Sequence, residues 1–270
     1  MRRSVHQALI IAAGRGERFG EAGYPHPKPL IEVAGIPLIC RTILTAREAG
    51  IDRFTVVTGY EAPVLEEFLN GHSVLGLSIR CLRNDQWQRP NGLSVLRARG
   101  HLRGPFALLM SDHLFDARIL KKLAGASLRP GHCLLAVDFH PERVSDLADA
   151  TKVAVRDGRV TDIGKGIQNY NAVDTGIFLC TQGIFDALEA AISRGREGLS
   201  DGIRELARCQ CMEAVDIGDL FWHDVDDEAA RLEGEKRLKK FLMASAAPKA
   251  RNQDRAACRR TGSARRRAER

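Results

Sequence analysis

Short apolar runs alternate with stretches in which apolar residues recur every three or four positions, and this rhythm fills the first half of the chain. Residues 8–12, 54–58, 77–82, 106–110 and 133–137 are predicted as strands. Residues 37–49, 63–70, 92–99 and 114–124 are predicted as helices, with Leu38, Ile39, Ile43 and Leu44 on one face of the first. The pattern changes after residue 140. Residues 152–155 and 160–163 flank Asp157-Gly158, a two-residue hairpin signal. A strand over 173–180, a helix over 184–193, a last strand over 220–225 and a charged helix over 227–243 follow. The β-α-β-α order predicts the α/β class: one Rossmann-like domain, mainly parallel, with helices on both faces of the sheet and an antiparallel excursion in its second half. The domain is expected to span residues 1–243. Residues 244–270, without periodicity, are expected to form a basic disordered tail.

Composition narrows the partners. No apolar run reaches the roughly 18 residues of a membrane span, and the first one breaks too early for a signal peptide, so a cytoplasmic protein that is not membrane-embedded is expected. Seven cysteines, odd in number and scattered, argue against a disulfide framework. Cys209-x-Cys211 has no second pair at zinc-site spacing. The net charge is +7, but nine Lys and Arg against two Asp and Glu fall in residues 248–270. The body is therefore neutral and offers no specific nucleic-acid footprint. The sequence leaves the oligomeric state open.

Glycines follow the first strand directly, in Ile11-Ala12-Ala13-Gly14-Arg15-Gly16-Glu17-Arg18-Phe19-Gly20. Such residues let backbone N–H groups approach phosphate oxygens. A P-loop would need Lys-Ser/Thr after its second glycine, which is absent. A dinucleotide fingerprint would need its third glycine one place before Gly20, and an acid where the second strand closes on Thr58-Gly59. Ala-Ala-Gly-x-Gly-x-Arg, followed nine residues after the arginine by Pro27-Lys28-Pro29-Leu30, resembles instead the opening motif of the sugar-phosphate nucleotidyltransferase family. Glu17 stands where that family usually has Thr or Ser. On this reading Ala12, Ala13, Gly14 and Gly16 hold the triphosphate, and Arg18 and Lys28 neutralise the departing pyrophosphate.

Two acids suit a cation. Asp112, in Ser111-Asp112-His113, follows the strand over 106–110. Asp224 lies in Phe221-Trp222-His223-Asp224-Val225-Asp226-Asp227. An acid at the carboxyl end of a central strand faces the crevice where α/β sheets bind ligands. Two such carboxylates can share a Mg²⁺ ion, which prefers oxygen ligands and substrate phosphates. Asp226 is the alternative to Asp224, and each acid also suits a helix N-cap. The family resemblance implies that Asp112 and Asp224 are the metal ligands. His113 and His223, beside them, suit either a hydrogen bond to a ligating carboxylate or simple packing.

Asn84-x6-Asn91-Gly92-x-Ser94 joins a strand to a helix, and the family resemblance implies that Asn91, Gly92 and Ser94 read the base. In the second half, Lys165 suits an acceptor phosphate as a compact point charge, and Asp174 can accept hydrogen bonds from polyol hydroxyls. Taken in order, Asn-x6-Asn-Gly-x-Ser, Met-Ser-Asp-His, Ala-Thr-Lys-Val, Asp-Ile-Gly-Lys, Val-Asp-Thr-Gly and Phe-Trp-x-Asp-Val-Asp resemble the cytidylyltransferase part of the archaeal and bacterial inositol-phosphate enzymes over residues 8–243. The resemblance implies CTP and a small phosphorylated alcohol, myo-inositol 1-phosphate, as substrates. It also implies Mg²⁺ as cofactor and CDP-inositol and pyrophosphate as products. In those enzymes a membrane-embedded synthase often follows in the same chain. Here a separate chain is expected to use the product. A phosphocholine or sugar 1-phosphate acceptor, or a non-catalytic nucleotide-binding regulator, are the alternatives.

Overall fold

Every residue of β1 (Gln7–Ala12) is buried, as a central parallel strand requires. It runs parallel to β4 (Arg53–Thr58) on one side and to β6 (Phe106–Met110) on the other, and β5 (Ser78–Arg83) extends the set beyond β4. Then the direction reverses. β11 (Ala172–Cys180) lies antiparallel between β6 and β8 (Cys133–Asp138), and β12 (Met212–Asp216) is parallel to β8. β9 (Lys152–Arg156) and β10 (Arg159–Gly164) form the hairpin at the far edge, turning on Asp157 and Gly158 with φ of +51° and +73°. The order of this nine-stranded sheet is β5-β4-β1-β6-β11-β8-β12-β10-β9. The structure, a computed structural model, describes residues 5–21, 23–71 and 77–246.

Alternation along the strands divides the core. Ala8 and Ile10 pack with α2 (Leu38–Glu48), α3 (Ala62–Gly71) and α5 (Ala117–Gly125). Leu9 and Ile11 face the opposite layer, built from α4 (Gly92–Leu96), α6 (Gly183–Ile192) and α7 (Leu199–Arg208). Period-two burial on β1 thus holds helices on both faces of the sheet. A short helix, α1 (Glu17–Glu21), follows the glycine loop. The two-residue strands β2 (Glu32–Val33) and β3 (Ile36–Pro37) pair with each other, and α8 (Glu228–Ala246) ends the described chain. The chain divides into two compact units, residues 1–235 and 236–270. Most of the expected tail, from residue 247 on, lies outside the described residues.

Four sequence expectations need correction. The strand expected over 220–225 is the shorter β13 (Trp222–Asp224), which pairs with β7 (His113–Phe115) in a ladder apart from the main sheet, and the main sheet holds a further strand, β12, that the sequence reading lacks. β12 reads Met-Glu-Ala-Val-Asp, half-polar because its residues are partly exposed, and so carries no apolar run. The helix expected from residue 114 begins at Ala117, after β7, with Asp116 as its N-cap. Helix α7 was not expected, although Leu199, Ile203 and Leu206 carry its period. The helix expected over 92–99 ends at Leu96 and continues as turns.

This topology positions the site. Parallel β1 and β6 end at the sheet edge where antiparallel β11 begins, since Ile177 pairs with Leu109. The glycine loop, Asp112 and the start of β11 therefore share one crevice.

Candidate active site

The glycine loop and Lys28 are built for each other. Gly16 has φ of +65°, and a Cβ there would lie 2.6 Å from the Cβ of Lys28. A side chain at position 16 would strain the turn and push Lys28 aside. Lys28 opens a 3₁₀ turn, Lys28–Leu30, between Pro27 and Pro29, and is buried. Its Nζ donates to Asp112 Oδ2 at 2.7 Å and to Asp226 Oδ1 at 2.6 Å. Burial alone lowers the pKa of Lys28. The carboxylates of Asp112, Asp224 and Asp226 more than reverse this and hold it above its ordinary value.

Asp112 sits in the turn between β6 and β7, and neither it nor Asp224 is a helix cap. Asp116 Oδ1 accepts from Arg118 N at the start of α5, and Asp227 Oδ1 accepts from Ala230 N at the start of α8. The β7–β13 ladder sets Asp224 opposite His113, and Val225 N donates to Asp112 O at 3.1 Å. His113 Nδ1 lies 2.8 Å from Asp112 Oδ1 and 3.7 Å from Asp224 Oδ1. One ligand atom from each of Asp112, His113 and Asp224 can be chosen so that all lie within 4.8 Å of one another.

Electrostatics inside this cluster are strong. Burial would lower the His113 pKa, but Asp224 and Asp112 lift it to about 9. Burial would raise that of Asp112, but Lys28 and His113 hold it well below the carboxylate range. Asp224 is pushed up to about 6 by burial, with Asp112 and Asp226 adding to the effect against His113 and Lys28. Asp224 Oδ1 is buried and has no hydrogen-bond partner among the described residues. A buried carboxylate oxygen left in this state is costly, and a divalent cation would satisfy it. The residues therefore fit a metal, with Asp112 and Asp224 as oxygen donors. Asp226, bound to Lys28, stands outside the cluster.

The ionic contacts continue outward. Arg18 NH1 is 3.5 Å from Asp226 Oδ2, and Arg18 NH2 also donates to Asp149 Oδ2, whose Oδ1 accepts from Lys165 Nζ. Lys165, Asp149, Arg18, Asp226, Lys28, Asp112, His113 and Asp224 thus form one chain of alternating charge. It links the acceptor residue expected from the second half to the cluster of Asp112, His113 and Asp224.

The remaining expected residues divide. Ala12 and Ala13 are buried beneath the loop, Ala13 O accepts from Tyr60 N, and Gly14 has open space beside it. Asp174 is the third residue of β11, and its Oδ1 accepts from Gly176 N at 2.7 Å. Burial pushes its carboxyl up to about 6 against that hydrogen bond. Asn91 Oδ1 accepts from Leu199 N at 2.9 Å, and Ser94 Oγ, buried, accepts from Asn84 Nδ2 at 2.9 Å. A Cβ on Gly92 would collide with Glu197 O. These three residues thus knit the loop to α7 and to Asn84. His223 turns away from the cluster, its Nε2 2.7 Å from Ala230 O.

Other residues line the crevice, Gly176 and Trp222 among them, which the motifs Val-Asp-Thr-Gly and Phe-Trp-x-Asp-Val-Asp contain without marking a role for them. Gly176, at φ of +69°, leaves room for His113: a Cβ would lie 2.7 Å from Nε2. Trp222 stacks on the His113 ring and donates to Asp138 Oδ2 at 2.8 Å. Tyr60 packs edge-on against Trp87, with Arg15 over its ring. Asp149 is one of several aspartates in an irregular loop.

Comparison with known proteins now bears on this site. The model of the MobA-like NTP transferase domain matches residues 8–248. The chain belongs to that family. Within the MobA-like family it is 30% identical over 245 residues to a bifunctional IPC transferase and DIPP synthase of Aquifex aeolicus, covering 90% of this chain and 53% of that one. It is 35% identical over 221 residues to the protein of the same name from Rubrobacter xylanophilus, covering 81% and 49%. The chain spans about half the length of these curated relatives. Among solved structures it superposes on the inositol-1-phosphate CTP transferase from T. maritima with a TM-score of 0.77 and 24% identity, covering 89% of this chain and 97% of that one. The nucleotidyltransferase fold expected from the sequence is thereby established. Among the described residues no helix is long and apolar enough to cross a membrane.

Proposed function

We propose that the protein is a Mg²⁺-dependent cytidylyltransferase that transfers CMP from CTP to myo-inositol 1-phosphate, giving CDP-inositol and pyrophosphate. The observation that carries this reading is the buried, unpartnered Asp224 Oδ1 beside Asp112, with Lys28 and Arg18 behind it. A site of this charge suits transfer between two phosphates. The choice of CTP and inositol phosphate is supported by the name of the solved neighbour, an inositol-1-phosphate CTP transferase, alongside the IPC transferase relatives matched over about half their length. The cytoplasm, which supplies CTP, is the expected compartment.

Asp112 and Asp224 would hold the ion, whose charge, when bound, offsets that of the nucleotide and acceptor phosphates. The residues of the chain do the rest. The backbone of Ala12 to Gly16 cradles the triphosphate. Lys28 and Arg18, now neutralised by Asp226 and Asp149, turn their charge toward the leaving pyrophosphate as substrate enters. His113 donates to Asp112 and keeps its carboxylate aimed. Lys165 takes the acceptor phosphate, and Asp174 its hydroxyls. The acceptor oxygen then attacks the α-phosphorus in line, with no covalent enzyme intermediate, so positioning and charge supply the rate.

The test is pyrophosphate release with four NTPs against a panel of phosphorylated alcohols. CTP with inositol 1-phosphate should exceed every other pair. Preference for phosphocholine or a sugar 1-phosphate would replace the acceptor while keeping the chemistry. No release with any pair would remove the enzymatic reading.

A further inference from the structure

The loop between β5 and α4, residues 84–91, lies at the carboxyl ends of the parallel strands, where α/β sheets bind ligands. It packs on the start of the glycine loop. Asn84 N donates to Thr58 O, and a Cβ on Gly59 would lie 2.5 Å from that of Trp87 and 2.6 Å from Ala13 O. The same loop is also seated on the connection between α6 and α7, residues 193–198. Glu197 supplies two of the contacts. Its carboxylate accepts from Arg89 Nε at 3.1 Å and from Arg89 NH2, and its backbone O lies 2.3 Å from where a Cβ on Gly92 would be. We infer that Glu197 is a positioning residue for base selection, holding the loop from Asn84 to Ser94 in the place from which it distinguishes one base from another. The inference rests on the base-reading role that the family resemblance gives Asn91, Gly92 and Ser94.

Three features of this seat carry the inference. First, the other side-chain anchors hold the ends of the loop: Asn84 Nδ2 donates to Ser94 Oγ, and Asn91 Oδ1 accepts from Leu199 N. Between them, the Arg89–Glu197 pair ties the middle of the loop across to the second half of the chain. Second, the connection that carries Glu197 is itself held fast. Arg194 NH1 and Arg196 NH2 donate to the two oxygens of Glu205 at 2.8 and 2.6 Å, and Arg208 NH1 donates to the same carboxylate at 2.6 Å. Glu205 is buried in α7, and charge-assisted bonds of this kind are the strong ones. Third, the packing between seat and loop is close. Leu188, fully buried in α6, fits against Gly92 and Gly202, where an added Cβ would lie 2.9 and 2.6 Å from its Cδ2. Close-packed contacts pass a displacement on rather than absorb it. Base choice is sensitive to such displacements. Cytosine and uracil differ by an amine donor against an oxygen acceptor at one position, and a hydrogen bond weakens steeply as its geometry degrades. Glu197 acts through Arg89, so a loosened loop changes which base is preferred and leaves the transfer step alone.

The experiment compares wild type, Glu197→Ala, Arg89→Met and the double variant, with CTP and UTP, by steady-state pyrophosphate release and by calorimetric titration of each nucleotide alone with Mg²⁺. The ratio of kcat/KM for CTP to that for UTP should fall about fivefold in Glu197→Ala, with kcat on CTP and the KM for inositol 1-phosphate unchanged. Arg89→Met and the double variant should fall by the same factor, because the two side chains make one contact. A merely structural role would lower the amount of folded protein without moving the ratio, so an unchanged ratio overturns the inference. A ratio that falls in Arg89→Met but not in Glu197→Ala overturns it too, and places Arg89 on the nucleotide by itself. A wild type that binds the two nucleotides equally removes the base-reading role, and the inference with it. If the wild type turns over no acceptor, the transfer reading falls by itself. The titrations then decide the role of Glu197 alone: a like loss of CTP preference in binding supports it, and an unchanged preference refutes it.

Discussion

Removing the cation at the centre of the charge chain tests the site most directly. In Lys28→Met a side chain of similar length replaces one that is about 10% exposed and donates to Asp112 and Asp226 at 2.7 and 2.6 Å. The substitution leaves those two carboxylates and Asp224 clustered with only His113 and the more distant Arg18 to offset them. Breaking a buried pair by removing one partner costs about 3–5 kcal/mol, most of it the uncompensated charge left behind. Asp112 and Asp226 keep some solvent, at 24% and 35% exposure, so the lower end, about 3 kcal/mol, is expected. For a chain of this size that is a fall in melting temperature of about 6–12 °C. Differential scanning calorimetry without metal near neutral pH measures it. Magnesium should then raise the melting temperature of Lys28→Met by more than that of wild type, because a cation that binds the folded state stabilises it through its affinity, and three carboxylates that have lost the Lys28 charge bind it more tightly. Turnover should fall at least tenfold with the lost charge on pyrophosphate. A variant that melts within about 2 °C of wild type, or gains no more from magnesium, would show that Lys28 does not neutralise the acids as argued.

Asp112→Asn should lower the melting temperature, because it takes a carboxylate away from Lys28 and His113, and should reduce pyrophosphate release by the folded protein below about a tenth; EDTA should abolish activity of the wild type, with magnesium restoring it, and a variant that keeps its rate would end the metal assignment. Gly176→Ala should cost about 1–3 kcal/mol in chemical denaturation from its left-handed φ and its contact with His113, and should slow turnover more than tenfold; lost stability with intact turnover would separate His113 from catalysis. Asp174 is raised to about 6 from an ordinary 3.8 by burial. The folded state therefore holds its proton more tightly than the unfolded chain, and the carboxyl contributes stability below about pH 4 that is lost as pH rises to about 6. Asp174→Asn should accordingly gain about 2–3 kcal/mol on wild type above pH 6 relative to below pH 4, while raising the KM for the acceptor; stability curves that run parallel across this range would refute the shifted carboxyl.

Much of this is legible in the sequence. Apolar runs such as Leu9–Ile11 and Leu108–Leu109 announce buried strands because a central parallel strand needs both faces apolar. The Gly-x-Gly loop and Pro-Lys-Pro were readable as a pair, and Asp112 stood out by its place after a strand. These signals are local: residue type, period and spacing along the chain. What the sequence withheld depends on which distant segments meet. β7 and β13 are three residues each, too short to show a period, yet their ladder is what places Asp224 beside His113. Asp224 ends β13 opposite His113, whereas Asp226, two residues past that strand, accepts from Lys28 Nζ. Asn91 and Ser94 are ordinary polar loop residues until α7 and Asn84 are seen to hold them. Asp149 has meaning only where Arg18 and Lys165, 147 positions apart in the chain, converge on it. Backbone preference and burial act on neighbours in sequence and so leave a written trace, whereas the charge chain exists only after the antiparallel β11 has brought the second half of the chain against the first.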